Sequence, residues 1–288
     1  MNSQHKNTFI SSQKTINSGG KLISLEKPLV MGILNITPDS FYDGGEHKDV
    51  DNALKHGAKM LEEGASIIDI GAVSTKPGAK EVTQEEEERR LIPVLKKMTK
   101  EFPDAIFSVD TYHSYIAKIA VDCGAQIIND ISAGAFDKNM FRMISELQVP
   151  YIMMHIKGVP ANMQKNPVYK DVVKEVIAYF SEKVAILRKM GVNDIIIDPG
   201  FGFGKTLEHN YELLRNLEYF SFFGLPLMAG VSRKSMINNA LGIKPEEALN
   251  GTTVLNTIAL MKGANILRVH DVKEAVETVK LFSITNNS

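Results

Sequence analysis

The chain has 288 residues, and 33 Lys and Arg stand against 34 Asp and Glu for a formal net charge of −1. That balance excludes a dedicated nucleic-acid binder with a basic excess, and 44% hydrophobic with 23% charged residues excludes disorder, collagen and coiled coil as the main architecture. One cysteine, Cys123, leaves no internal disulfide framework and no multi-cysteine zinc site, and fits a reducing, cytoplasmic setting.

Residues 1–13 are polar and lack an apolar stretch, so they read as a disordered tail and not as a signal peptide. Between Lys14 and Leu25, the Ser18, Gly19 and Gly20 turn separates two short β-like stretches, which predicts a small hairpin. From there, continuously apolar runs alternate with longer amphipathic segments. The runs are 29–34, 66–70, 105–109, 126–128, 151–154, 194–197, 226–231 and 265–269. Continuous rather than alternating apolarity is the pattern of parallel strands buried on both faces. Helices are predicted at 50–63, 83–102, 114–123, 138–147, 168–190, 206–217, within 232–262, and at 271–282. Thr83 and Glu86 have the spacing of a capping box, and the acids at 85–88 read as a solvated helix start rather than a metal site. No run of 18 apolar residues exists, so no membrane span is predicted.

Length alone would allow two domains. Eight strand–helix units without a linker or composition shift instead predict one α/β domain over 14–288, a (β/α)8 TIM barrel with a short N-terminal β-hairpin. A doubly wound open sheet is the competing arrangement.

In a barrel the chemistry lies at the C-terminal ends of the strands. Those ends carry Asn35, Asp69, Asp110, Asn129 with Asp130, His155, Asp198, the Ser232, Arg233 and Lys234 that follow Gly230, and Arg268 with His270. Polar groups from every strand on one rim imply a pocket with both signs of charge. The loops 35–45 and 71–79 are long and rich in turn formers, which suits lids. The segment 198–206, DPGFGFGKT, is not a nucleotide loop: Pro199 stands where GxxxxGK needs glycine, and Lys205 where GxGxxG needs it. Three residues have plainer readings. His155 is a satisfied strand-end histidine, Cys123 fills space, and Asp69 either anchors the second loop or touches a ligand.

VMGILNITPDSF, DIGAVSTKPGA, SVDTY, IINDISAG, MMHIKG, DPGFGFGKTLEHN, AGVSRKS and RVHDV occur in this order across residues 30–272. Together they resemble the dihydropteroate synthases, folate-pathway barrel enzymes. The resemblance implies condensation of 6-hydroxymethyl-7,8-dihydropterin diphosphate with p-aminobenzoate, release of pyrophosphate, Mg²⁺, a homodimer and sensitivity to sulfonamides. The near-zero charge and the lack of a long apolar run already imply no nucleic-acid or membrane partner. By the same resemblance Asp110, Asn129, Asp198, Lys234 and Arg268 bind the pterin. Asn35, Arg268 and His270 bind the diphosphate, and Asn35 is also the Mg²⁺ ligand. Phe41, Thr75, Lys76, Pro77, Phe203 and Ser235 bind p-aminobenzoate. Lys234, Arg268, His270, Asp43 and Lys76 are the catalytic set.

The residue chemistry suits these roles. A carboxylate accepts two N–H bonds from a guanine-like pterin edge. A guanidinium can stack on the ring and fork onto oxygens. A corrinoid-type pterin-binding methyltransferase would not need NITPDSF, SRKS or the anion site, and a non-catalytic pterin-binding protein would not need the lids. The sequence departs from the usual family pattern at Ala72 (commonly Gly), Lys76 (commonly Arg) and Met236 (often Phe).

Overall fold

The computed structural model describes residues 13–36, 46–74, 78 and 82–286, with 46–49 described by their backbone. Eight parallel strands surround the core: β3 (Leu29–Asn35), β4 (Ile67–Gly71), β5 (Phe107–Asp110), β6 (Ile127–Asp130), β7 (Tyr151–Met154), β8 (Ile195–Asp198), β9 (Met228–Ala229) and β10 (Ile266–Val269). They hydrogen-bond in the order β8-β7-β6-β5-β4-β3-β10-β9, and a single parallel bridge between Ile197 and Leu227 joins the two ends. The result is a nearly closed barrel, as the sequence predicts, and not an open sheet.

The seventh strand is much shorter than the predicted 226–231. Pro226 has no N–H to give the ladder, and the Leu227 N–H goes to the Asn265 side-chain oxygen at 2.9 Å instead of a strand carbonyl. Regular pairing with β10 therefore begins only at Met228.

The intervening helices are α1 (Glu46–Glu62), α2 (Gln84–Glu101), α3 (Ser114–Asp122), α4 (Met140–Leu147), α5 (Val172–Lys189) and α6 (Leu207–Arg215). The predicted 232–262 stretch splits into α7 (Ser235–Leu241) and α8 (Leu249–Met261), and α9 (Val272–Asn286) closes the series. The split follows from Gly242, which ends α7 in the left-handed region at φ 66°, and from Pro245, which begins a separate short turn.

Only half of the predicted capping box at α2 forms. Thr83 Oγ1 accepts from the Glu86 N–H at 3.3 Å. The Glu86 carboxylate, however, is taken by Arg89 and Arg90 at 2.6–2.9 Å and does not reach back. The adjacent Glu87 corrects the solvated reading of the acidic run, because it is fully buried and pairs with His113 Nδ1 at 2.6 Å.

Below the barrel, β1 (Thr15–Ser18) and β2 (Lys21–Ser24) form the expected antiparallel hairpin. Ile16 and Leu25 cap the N-terminal end, packing on Met31, Ile67, Ile127, Ile152, Ile196, Met228 and Ile266. A fully buried Ile such as Ile16 contributes on the order of 1.5–3 kcal/mol. The predicted tail lies outside the described residues except for its last residue, Gln13. Its N–H donates to Gly224 O at 2.9 Å and its side chain to Asp194 at 2.8 Å. The larger apolar layer lies between the strands and the helices around them. Both layers leave the C-terminal rim of the barrel as the place where polar groups collect.

Candidate active site

Strand register sets the depth of each polar side chain. Gly71, Asp110 and Asn129 stand side by side across β4, β5 and β6. Asp69 lies two residues earlier on β4, so it shares a face with Gly71 one layer deeper. There its carboxylate is fully buried and receives Arg268 Nε at 2.7 Å and Asn129 Nδ2 at 2.9 Å, both on Oδ2. Arg268 Nη2 reaches Asp110 Oδ2 at 2.7 Å. One planar guanidinium thus ties β10 to β4 and β5 through charge-assisted bonds. Among the described residues the Asp69 carboxylate is engaged by Arg268 and Asn129, and its buried Oδ1 has no hydrogen-bond partner.

Burial pushes the Asp110 carboxyl upward, with help from the Asp69, Glu87 and Asp130 carboxylates and against the pull of Arg268. The carboxylates hold Arg268 firmly in its charged form although it is desolvated.

A second group forms around Gly230. A Cβ there would sit 3.6 Å from Lys234 Nζ and 3.9 Å from both Asp198 Oδ2 and Arg268 Cβ. The three groups thus converge on one point beside a residue that has no side chain. Asp198 is 3% exposed, and its Oδ1 accepts the Gly200 N–H at 2.8 Å. Burial raises its pKa against the opposing charge of Lys234. Lys234 donates to Phe201 O at 2.6 Å and lies 4.8 Å from the centre of the Phe203 ring. Desolvation lowers its pKa to about 8, with Asp198 resisting.

A third group lines the rim. His270 donates its backbone N–H to Ser232 Oγ at 3.1 Å, and the same hydroxyl lies 3.1 Å from His270 Nδ1. The hydroxyl can give its proton to Nδ1, and in that tautomer Nε2 carries the ring's N–H donor. His270 is open to solvent at its edge. Its pKa is lowered by the protein packed against the ring and by Arg268, so the ring is neutral at pH 7. Arg233 is committed elsewhere: it forks onto Asp271 at 2.7 and 2.9 Å and holds the turn that carries Lys234. Ser235 opens α7 and is exposed.

Asn35 ends β3 beside Gly71, where a Cβ would lie 3.6 Å from Asn35 Oδ1 and 3.5 Å from Asp110 Cβ. Among the described residues the Asn35 amide makes no hydrogen bond, and no cluster of three acidic, His or Cys ligands forms. One unengaged amide oxygen suits Mg²⁺, which keeps most of its waters and takes substrate phosphates.

The fold therefore brings together Asn35, Asp110, Asn129, Asp198, Phe203, Lys234, Arg268 and His270, and Ser235 follows Lys234 at the start of α7. The expected Phe41, Asp43, Thr75, Lys76 and Pro77 lie outside the described residues. Asp130 belongs to the strand ends read as lining the rim, but it turns away. It holds its own turn through Tyr151 Oη at 2.6 Å, Ser132 N at 2.7 Å, Ser132 Oγ at 2.8 Å and Gly134 N at 2.7 Å. Of the departures from the family pattern, Ala72 and Met236 are both buried, and the Ala72 carbonyl accepts from Arg90 at 3.4 Å.

Sequence reasoning missed an apolar wall at the rim. Ile131, Met154, Ile156 and Met163 pack with Tyr112, Phe136 and Phe203. It also missed Glu87 and Lys205. Both carry charge into the interior, and only the helix rotation and the loop path show which way they point.

Comparison with known proteins gives a consistent picture. A family described as "Pterin binding enzyme" matches residues 31–270. The dihydropteroate synthase of Escherichia coli (strain K12) is 45% identical over 268 residues, covering 92% of this chain and 94% of that protein. Among solved structures, Yersinia pestis dihydropteroate synthase in a sulfonamide drug complex superimposes with a TM-score of 0.90 at 40% identity, covering 95% of this chain and all of that one. Xanthomonas albilineans dihydropteroate synthase with 4-aminobenzoic acid gives a TM-score of 0.90 at 37% identity, covering 96% of this chain.

Proposed function

The chain belongs to the pterin-binding enzyme family, alongside its dihydropteroate synthases, and from that premise we infer how the rim works. The enzyme is a transferase that condenses 6-hydroxymethyl-7,8-dihydropterin diphosphate with p-aminobenzoate, giving 7,8-dihydropteroate and pyrophosphate in folate biosynthesis. The observation that carries the assignment of roles is Asp198. It is a buried carboxylate with Oδ1 fixed by Gly200 and Oδ2 beside Gly230, close to Lys234.

Asp198 accepts the amino and ring N–H groups of the pterin edge. Lys234 donates to the carbonyl side, and Asn129, with both a donor and an acceptor, reads the ring edge beside it. Arg268 stacks on the ring face. Its charge is already matched by Asp69 and Asp110, so the floor favours positive charge developing on the pterin as the leaving group departs.

The C–O electron pair leaves with pyrophosphate. His270 Nε2–H and Arg268 meet the diphosphate. Asn35 Oδ1 would hold Mg²⁺, which when bound would offset charge on the leaving phosphates. The amine lone pair of p-aminobenzoate forms the new C–N bond, and the proton goes to water. Because that amine is neutral at pH 7, no strong general base is required.

Phe203 and Ser235 hold p-aminobenzoate. Phe41, Thr75, Lys76 and Pro77 share that role, and Asp43 and Lys76 belong to the catalytic set, with Lys76 supplying charge without the fork of an arginine. We place the enzyme in the cytoplasm as a homodimer. Exposed Val254 and Met261 on α8 and Leu281 and Ile284 on α9 support a second copy as the cover for that face. No helix among the described residues is long and apolar enough to cross a membrane.

The test is product formation. Purified protein given both substrates and Mg²⁺ should yield 7,8-dihydropteroate by mass spectrometry. A chelator should stop the reaction and a sulfonamide should compete with p-aminobenzoate. Pterin binding without product would leave only a binding protein.

A further inference from the structure

Lys205, in the segment 198–206, is 2% exposed. Its Nζ lies 2.9 Å from His155 Nδ1, 3.3 Å from His155 O, 2.9 Å from Gly200 O and 3.0 Å from Phe203 O. Among the described residues no carboxylate comes within ion-pair distance of it. Three of the four neighbours are carbonyls that can only accept, which matches the three N–H donors of an ammonium and opposes the burial that pushes the Lys205 pKa well below its ordinary value. His155 must then present a bare Nδ1 and carry its proton on Nε2. Tyr179 packs edge-on to the imidazole at 4.8 Å. Burial and the Lys205 charge keep the ring neutral.

The cage shapes the loop around it. Gly200 and Gly204 have φ of 71° and 64°, and a Cβ at either would collide with a backbone carbonyl, of His155 or of Lys157. Backbone therefore lies directly on backbone at the exit of β7. With the Gly200 and Phe203 carbonyls turned inward to Nζ, the opposite side of the loop faces the pocket. That side presents the Gly200 N–H to Asp198 and the Phe203 ring to Lys234. Tyr169 Oη on Gly204 O at 2.8 Å and Asn210 Oδ1 on Gly202 N at 2.7 Å hold the flanks.

We propose that Lys205 is a positioning residue for both substrates: its buried ammonium gathers the carbonyls of His155, Gly200 and Phe203, and so sets Asp198 for the pterin and Phe203 for the aryl amine. The proposal rests on the reading of this rim given above. Lys205 touches neither substrate. It acts through the two residues that do, and a displacement of about 1 Å at such a site is enough to cost orders of magnitude in rate.

Two measurements test it. In Lys205→Met, which keeps length and loses donors and charge, KM for both p-aminobenzoate and the pterin diphosphate should rise about tenfold or more, with the melting temperature followed in parallel. A lower melting temperature with both KM values unchanged would make Lys205 merely structural and overturn the proposal. The ¹⁵N spectrum of His155 in the unaltered protein needs no variant, and tests the cage even if Lys205→Met does not fold. Bare Nδ1 with protonated Nε2 is the expected result, and a proton on Nδ1 would overturn the cage. An unaltered enzyme without turnover would instead count against the functional reading, while the His155 spectrum would still test the cage.

Discussion

Arg268 and Lys205 are two cations held at the same end of one barrel by opposite means. Arg268 lies between two carboxylates, each at 2.7 Å. Lys205 is held by three carbonyl oxygens and an imidazole nitrogen. The first arrangement ties three strands together and leaves a planar, charge-compensated surface on which a ring can rest. The second fixes the path of a loop; burial pushes the Lys205 pKa well below its ordinary value, and the Asp198 carboxylate pulls it back. A flat, permanently charged fork suits the first task, and a compact ammonium with donors in several directions suits the second.

The largest effect should come from breaking the arginine arrangement. Arg268→Ala strands the buried Asp69 carboxylate and removes the partner of Asp110, so unfolding stability should drop by about 3–5 kcal/mol and turnover should collapse. Urea titration reads the first and a product assay the second. A loss below about 0.5 kcal/mol would mean that the network is not ionised as drawn. Lys205→Met should lose less stability than Arg268→Ala, because it orphans no carboxylate and relieves the cost of a buried cation. Its signature is in KM. Equal stability losses in the two variants would erase the contrast.

Lys234 gives the smallest and most graded effect. Its pKa is lowered to about 8 from 10.5, so kcat/KM should fall as pH rises through about 8 and the cation is lost. Stability should move the other way. Between about 8 and 10.5 the unfolded chain holds this proton and the folded one does not, so the Lys234 contribution to stability rises with pH. An activity profile flat to about pH 10 would show that the Lys234 charge is not used.

How much of this is legible in the sequence depends on whether a feature is local. The strands are legible because both faces are buried and the apolar runs are continuous. The strand-end residues Asp69, Asp110, Asp198 and Arg268 follow from the runs by position. What is not local is missed. Nothing in four consecutive glutamates says which one the helix turns inward, and it is Glu87, which finds His113 on another unit. The seventh strand looks six residues long until Asn265, on β10's approach, takes the Leu227 donor. Lys205 enters the sequence argument only as a mismatch to a nucleotide motif, because its four acceptors come from β7's exit and from carbonyls that any residue would carry. Asp69 is ambiguous for the same reason, since its partner Arg268 lies 199 residues away.

The central claim is that a buried carboxylate at the end of β8 reads the pterin edge. Calorimetric titration of 6-hydroxymethylpterin into the unaltered protein and into Asp198→Ala tests it most directly. Loss of a buried charge-assisted contact should cost at least about 1.5–3 kcal/mol, roughly tenfold or more in affinity. Unchanged affinity in a folded Asp198→Ala protein would contradict the account.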